Sequence, residues 1–208
     1  MPNMNVQPVE IKRGRKFDQV LEGARQVFMA DGYEGASVDE IARAAKVSKA
    51  TLYSYVPDKR LLFMEVAKQE CLRQADLAIA QVQTEGPISV ALFNAASTMA
   101  RFFMSELGRQ TYRIAVAESE RFPEIGRAFY NAGPTIARKA LIEYLLKKME
   151  AGELQIDDVE LAADQFIELC KASHHIQAMM GVKTDFSEDE IDRVIRGAVD
   201  TFLARYGA

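Results

Sequence analysis

Apolar residues recur every three to four positions along most of the chain, with no stretch of period-two alternation, so the pattern predicts helices throughout. The first stripe is Phe17, Val20, Leu21, Ala24, Val27 and Phe28, which predicts a helix over 15–30. Asp31-Gly32 ends it, the glycine being free to take a left-handed cap. Ser37 and Glu40 then form an S-x-x-E capping box that opens a second helix, with Ile41 and Ala45 facing inward. Lys46-Val47 makes a turn, and Ser48 is the N-cap of a third helix of about seven residues, too short to persist without tertiary support. Pro57-Asp58 breaks it, and Asp58 caps a fourth helix reaching about Val82.

After a break at 84–87, residues 88–105 carry Val90, Leu92, Phe93, Ala96, Met99, Phe102 and Phe103. This segment is apolar on more than one face, the mark of a helix buried on both sides. Helices are predicted over 107–121 and 124–131, flanking Phe122-Pro123, and from Gly133-Pro134 to near Gly152. Two more cover 158–181 and 188–206, the last with a stripe from Ile191 to Tyr206. The prediction is an all-α chain of nine or ten helices. It divides into a disordered start (1–11), a three-helix helix-turn-helix head (12–60) and a larger helical body (61–208).

Composition adds modest bounds. At 208 residues and 49% hydrophobic content the chain can bury a sizeable core. The start has no apolar leader segment, no run of about 18 apolar residues exists, and Cys71 and Cys170 lie far apart, so a reduced, cytoplasmic setting without membrane insertion is expected. The net charge of −4 argues at first against a nucleic-acid partner. Its distribution reverses that. Residues 1–68 hold 11 basic and 9 acidic side chains, whereas 69–208 hold 15 and 21. Lys12, Arg13, Arg15 and Lys16 form a basic arm at the front of the mildly basic half.

That layout fits a head that reads double-stranded DNA, which needs donors for phosphates, donors for base edges and a rigid mount. Ile41, Ala45, Val47 and Leu52 supply the mount beneath the third helix. Lys49, Ala50, Thr51 and Tyr53 fall on its outer face. Lys49 suits guanine O6 or N7, and Ala50 and the Thr51 methyl suit thymine methyls. The hydroxyls of Ser37, Tyr53 and Tyr55 suit phosphates, as does Lys59 at a helix N-terminus. Ser48 and Lys46 sit on the same side. The competing reading makes Tyr53 and Tyr55 ordinary boundary residues and Lys49 a surface lysine. The coincidence of cap, turn, short helix and second cap favours DNA.

The stretch from Phe28-Met-Ala-Asp-Gly-Tyr33 through Ser37-Val-Asp-Glu-Ile-Ala42 and Val47-Ser-Lys-Ala-Thr-Leu-Tyr53 to Lys59-Arg-Leu-Leu-Phe63 resembles the DNA-binding domain of the TetR family of transcriptional repressors. The resemblance implies that Lys49 and Tyr53 face bases and that Ser37, Thr51, Tyr55 and Lys59 meet phosphates. Lys46 and Ala50 stand where that pattern usually has glycine, and Val56 where it has phenylalanine. A second stretch, Arg113 to Pro134 with Gly152-Glu-Leu and Ala162-Ala-Asp-Gln-Phe166, is similar to the C-terminal domain of AefR-like members. That implies a regulatory, dimerising body.

Within the body, Phe93, Met99, Phe103, Phe129 and Met180 are candidates to wall a pocket for a flat or greasy molecule, with plain core packing as the alternative. Cys170 and His174, one turn apart on a continuous helix, have the spacing to chelate a soft metal, but a third ligand is missing and no metal or cofactor is expected. The last two helices carry more apolar surface than one chain covers, which points to a homodimer matched to palindromic DNA. The function expected is a ligand-responsive repressor released from its operator by a small apolar effector. The alternatives are a ligand-independent DNA-binding regulator and an all-α enzyme. For the enzyme, two adjacent histidines and the lack of a nucleophile–base spacing or phosphate loop offer no support.

Overall fold

A computed structural model describes residues 14, 16–82 and 86–208, so the expected disordered start and most of the basic arm lie outside the described residues. It contains α1 (Phe17–Gly35), α2 (Val38–Ala44), α3 (Lys49–Tyr55), α4 (Lys59–Val82), α5 (Ile88–Met104), α6 (Glu106–Ser119), α7 (Pro123–Ala132), α8 (Pro134–Glu150), α9 (Val159–Leu169), α10 (His174–Met179) and α11 (Glu188–Tyr206). No helix among the described residues is long and apolar enough to cross a membrane.

Local chemistry explains most of the boundaries. Ser37 and Glu40 form a reciprocal capping box on α2, and Ser187 and Glu190 repeat it on α11. Pro123 and Pro134 sit in the first turns of α7 and α8, where a missing N–H costs nothing. Gly32 adopts φ +70°, as a left-handed stop should, yet the chain resumes helical turns to Gly35. α1 is therefore kinked there, not ended. A Cβ at Gly32 would sit 2.7 Å from Glu106 Oε1, so the same position lets α6 approach the kink.

One predicted helix is two. Residues 158–181 split into α9 and α10 because the chain tightens after Leu169 and passes through Ser173 at φ +65°. Lys171 and Ala172 N–H groups donate three residues back, to Glu168 and Leu169, a tighter winding than the α-helix allows. Nothing in the apolar spacing signals this break, since the stripe continues on either side of it.

Two clusters make the core. In the first, α1, α2 and α3 close over Leu52, Val56, Leu62 and Phe63, and it runs on without a gap to Leu107, Ala115 and Ile125 of α6 and α7. Gly23 makes a close seam between α1 and the end of α2: a Cβ there would meet Ala45 N at 2.5 Å. The second cluster joins α5, α8, α9 and α11 around Leu92, Leu145, Phe166, Ile195 and Phe202. The α4 helix packs on α1 at one end and on α5, α7 and α8 further along. The end of α11 is pinned to the α8–α9 loop by Gln155 N donating to Tyr206 O at 2.8 Å.

Candidate nucleic-acid interface and internal cavity

The head holds α3 on a rigid underside and leaves its other side in solvent. Leu52 is 1% exposed and Val56 fully buried, while Lys49, Ala50 and Tyr53 are exposed. Valine at 56, where phenylalanine is usual, still fills its site. The Ser48 hydroxyl accepts from Thr51 N at 3.0 Å and pairs with the Thr51 hydroxyl at 2.8 Å. Two neutral side chains thus satisfy the first turn of a helix with no acidic residue to do so. The turn before it contains Lys46 at φ +52°, so a non-glycine residue holds the left-handed position and projects an exposed ammonium beside α3.

The remaining head residues fall in different settings. Ser37 is exposed, its hydroxyl engaged by Glu40. Tyr55 is half-buried, its ring 6.1 Å from that of Phe17. Lys49 is held by an acid that sequence reasoning missed: its Nζ lies 2.9 Å from the Asp39 carboxylate, which keeps the ammonium's affinity for its proton above the ordinary lysine value. The signal was present, since Asp39 is the exposed residue inside the capping box and the turn folds α2 back beside the start of α3.

Lys59 departs most from expectation. Its ammonium turns inward, donating to Tyr33 O at 2.7 Å and Ala36 O at 3.0 Å, with the Tyr33 ring 4.5 Å away. It closes the carbonyl end of α1 with the start of α4. Burial and local geometry make it a strut of the head, and only its third N–H is left for a phosphate.

The head is bolted to α6, a connection not visible in the sequence. Tyr33 N donates to Gln110 Oε1 at 2.7 Å. Arg60 bonds Glu118 at 2.6 Å and Asp58 at 3.1 Å, its guanidinium 4.7 Å from the Phe122 ring centroid. On its other side α6 holds the body. Arg113 donates to the carbonyls of Ala178 and Met179, each at 3.0 Å, and Tyr112 packs edge-on against Phe129 and His175. Gln110 and Tyr112 are two positions apart, about 160° around the helix, so one helix touches the head and the body's interior.

That interior contains a cavity of about 570 Å³ between α4, α5, α8 and α9, with walls from α6 and α7. Met99, Phe103 and Phe129 line it, as the sequence reading placed them. Phe93 and Met180 do not. Phe93 is six positions from Met99, about 120° around α5, and its ring lies under Arg196 on the α11 side. Met180 is 72% exposed at the end of α10. The break at Ser173 turns α10 out of register with α9, which moves Met180 from the inner face to the surface. The same break removes the one-turn spacing of Cys170 and His174. Cys170 lines the cavity, its thiol pushed up to about 12 by burial, whereas His174 packs against Phe186 at 4.5 Å.

Comparison with known proteins accounts for both halves. Residues 20–66 match the profile of bacterial regulatory proteins of the tetR family, and residues 90–208 match the C-terminal domain of the AefR-like transcriptional repressor. The fold superposes on a TetR-family regulator from Mesorhizobium loti with a TM-score of 0.81 and 27% identity, covering 93% of this chain and 98% of that one. The flavonoid-responsive regulator FrrA is 31% identical with a TM-score of 0.64, covering 94% and 98%. Over 179 residues the chain is 23% identical to the transcriptional repressor AcnR of Corynebacterium glutamicum, covering 85% and 88%. With both domain profiles matched and the fold shared along nearly its whole length, the chain belongs to the TetR family of DNA-binding transcriptional repressors.

Proposed function

We propose that the chain acts as a homodimeric, ligand-responsive repressor of palindromic operator DNA. Each α3 enters a major groove, the two half-sites lying about 34–36 Å apart or a multiple of that. Lys49 and Tyr53 meet base edges with Ala50 and Thr51 beside them. Ser37, Lys46, Ser48 and Tyr55 hold phosphates, and Lys59 adds its one free donor. Lys49 must leave Asp39 to do so, which sharpens its selectivity: a wrong base leaves the ion pair the better option.

The dimer is supported by apolar surface that the chain itself leaves open. Leu161, Ile176, Met180 and Val182 are between 51% and 76% exposed, all within one segment running from α9 past α10. On α11, Gly197, Thr201 and Ala204 present a small-residue face, with open space over Gly197. Two such surfaces brought together by a two-fold axis form a self-complementary interface.

The effector occupies the cavity. The observation that carries this reading is α6, which meets the cavity through Tyr112 and the head through Gln110 and Glu118. A molecule that spreads Tyr112 and Phe129 shifts α6, and with it the kink of α1 and the start of α4. Release follows only if the effector binds the released arrangement better than the DNA-bound one.

Sedimentation equilibrium tests the dimer, a monomer at micromolar concentration overturning it. Selection of bound sequences from random DNA, followed by a compound screen for release, tests the rest. Recovered sites without two-fold symmetry, or no compound that releases them, would refute the corresponding part.

A further inference from the structure

The head is short of cations for a protein that binds a polyanion. Residues 1–68 hold 11 basic side chains against 9 acidic ones, and four of the 11 stand together at Lys12, Arg13, Arg15 and Lys16. Most of the others are engaged within the protein. Arg25 meets Glu22, Lys49 meets Asp39, and Arg60 meets Asp58 and Glu118. Lys59 is held by two carbonyls. Without the run at 12–16 the first 68 residues would carry more acid than base, and affinity for DNA is set largely by cations brought to phosphates. The α3 contacts proposed above use none of these four.

Of the run, the structure describes Gly14 and Lys16, both exposed, and it shows where the run joins the head. Phe17 N donates to Gly14 O at 2.8 Å and Val20 N to Lys16 O at 3.0 Å, which ties the residues before α1 to its first turn. Phe17 is buried, its ring 6.1 Å from that of Tyr55, the last residue of α3. Gly14 lies against the same ring: a Cβ there would stand 3.0 Å from Tyr55 Cε1 and 3.2 Å from its hydroxyl oxygen. A side chain would crowd the tyrosine, and glycine lets the backbone pass over it. Arg13 and Arg15 adjoin Gly14 in the chain, their Cα atoms about 3.8 Å from its own. Both cations therefore start at the end of α3.

That starting point selects a groove. With α3 in the major groove and the Tyr55 hydroxyl at a phosphate, Gly14 sits over the sugar–phosphate backbone. The groove on the far side of that backbone is the minor one, about 6 Å wide. It admits an extended segment and arginine side chains, which A·T tracts attract through their narrow width and strong negative potential.

We infer that residues 12–16 are a second DNA-binding element, which crosses the backbone beside Tyr55 and sets Arg13 and Arg15 in the minor groove flanking each half-site, where they favour A·T over G·C. This rests on the proposed placement of α3 and Tyr55 on the operator.

The test uses the full chain on operators recovered by selection, with the half-sites held constant and the flanks made all A·T or all G·C. The unmodified protein is expected to bind the A·T-flanked operator about fivefold or more tightly. Arg13→Ala/Arg15→Ala is expected to lose about tenfold or more in affinity on A·T flanks, to lose the flank preference, and to lower the slope of log affinity against log salt by about two per protomer. Arg13→Lys/Arg15→Lys keeps the charge without the planar fork, so the slope is expected to stay and most of the preference to go.

Dimethyl sulfate reads the two grooves separately, since it methylates adenine N3 in the minor groove and guanine N7 in the major groove. Protection of flank adenines by the unmodified protein and not by the alanine variant supports the arm. Equal binding of the two flanks, with adenine N3 unprotected, overturns the minor-groove assignment. An unchanged salt slope in the alanine variant removes the arm from DNA altogether. Half-site guanines left unprotected at N7 refute the placement of α3 instead, and flank protection that persists in that case keeps the arm.

Discussion

The head and the body are built from the same element but specified in different ways. In the head, each boundary has its own side chain: Ser37 with Glu40, Lys46 at the turn, Ser48 with Thr51. These are contacts between residues at most a few positions apart. Within the body and at its joint with the head, the contacts that the proposed function uses span long separations. Tyr33 reaches Gln110, Arg60 reaches Glu118, and Tyr112 reaches Phe129. A region specified locally keeps its shape when its neighbours shift. A region specified by distant contacts can hold two arrangements of similar energy, which the proposed response to an effector requires.

The largest effects test whether the two regions unfold as one. Phe63 is fully buried in the head cluster, its ring 5.0 Å from Phe28 and 5.1 Å from Tyr33. Phe202 is the body's counterpart, 2% exposed and 5.2 Å from Phe166. Truncating either to alanine should cost about 3–5 kcal/mol. Because the first cluster runs from α1 into α6 and α7, both variants should lower one shared transition in urea. Two separated transitions in the Phe63→Ala variant, the body melting later, would show that the boundary is sharper than the packing implies.

The next effect sits wholly in the head. Lys49→Ala should weaken operator binding by about 1–3 kcal/mol and relax preference at one base position. Asp39→Asn should act in the opposite sense on affinity but in the same sense on specificity. Lys49, released from its partner, should bind operator and non-operator DNA with affinities closer together. A set of anisotropy titrations on single-base operator variants reads both. Unchanged preference in Lys49→Ala would mean that α3 does not lie in the groove as placed.

Legibility followed the same division. The head was readable because a capping box, a turn and a second cap are each written within four residues, and their order admits few folds. Asp39 and Lys59 were readable only in part. The residue types were evident, but whether an ammonium faces solvent or a carbonyl depends on how α1 and α4 cross. In the body the 3.6-residue period located the helices and not their rotation. Phe93 and Met99 belong to one apolar segment, yet they face different neighbours. Ser173 is the sharpest case, since serine carries no signal for a positive φ, and missing it put Met180 on the wrong face.

A smaller effect tests the joint between the regions. Glu118→Gln keeps the size of the side chain and removes the charge that Arg60 meets at 2.6 Å. It should leave operator affinity without effector within about threefold and change the response to effector by roughly 0.5–2 kcal/mol of coupling. The comparison that matters is operator affinity with and without a saturating effector. A full, unchanged response would move the connection from α6 to α4 alone.

The smallest effects come from the two non-glycine residues held at positive φ, one in each region: Lys46 at +52° and Ser173 at +65°. A side chain in this conformation costs roughly 1–2 kcal/mol, part of which glycine returns as extra freedom of the unfolded chain. Lys46→Gly and Ser173→Gly should therefore each stabilise the protein by about 0.5–1 kcal/mol in urea unfolding. The two should part on DNA. Ser173→Gly should leave operator binding and its salt dependence unchanged, since the residue lies beyond the joint. Lys46→Gly removes an exposed cation beside α3, so binding should weaken equally on all sequences and the slope of log affinity against log salt should fall by about one. If Lys46→Gly stabilises the fold and leaves that slope intact, the lysine serves only the turn, and the phosphate role belongs to Ser37, Ser48, Tyr55 and the free donor of Lys59.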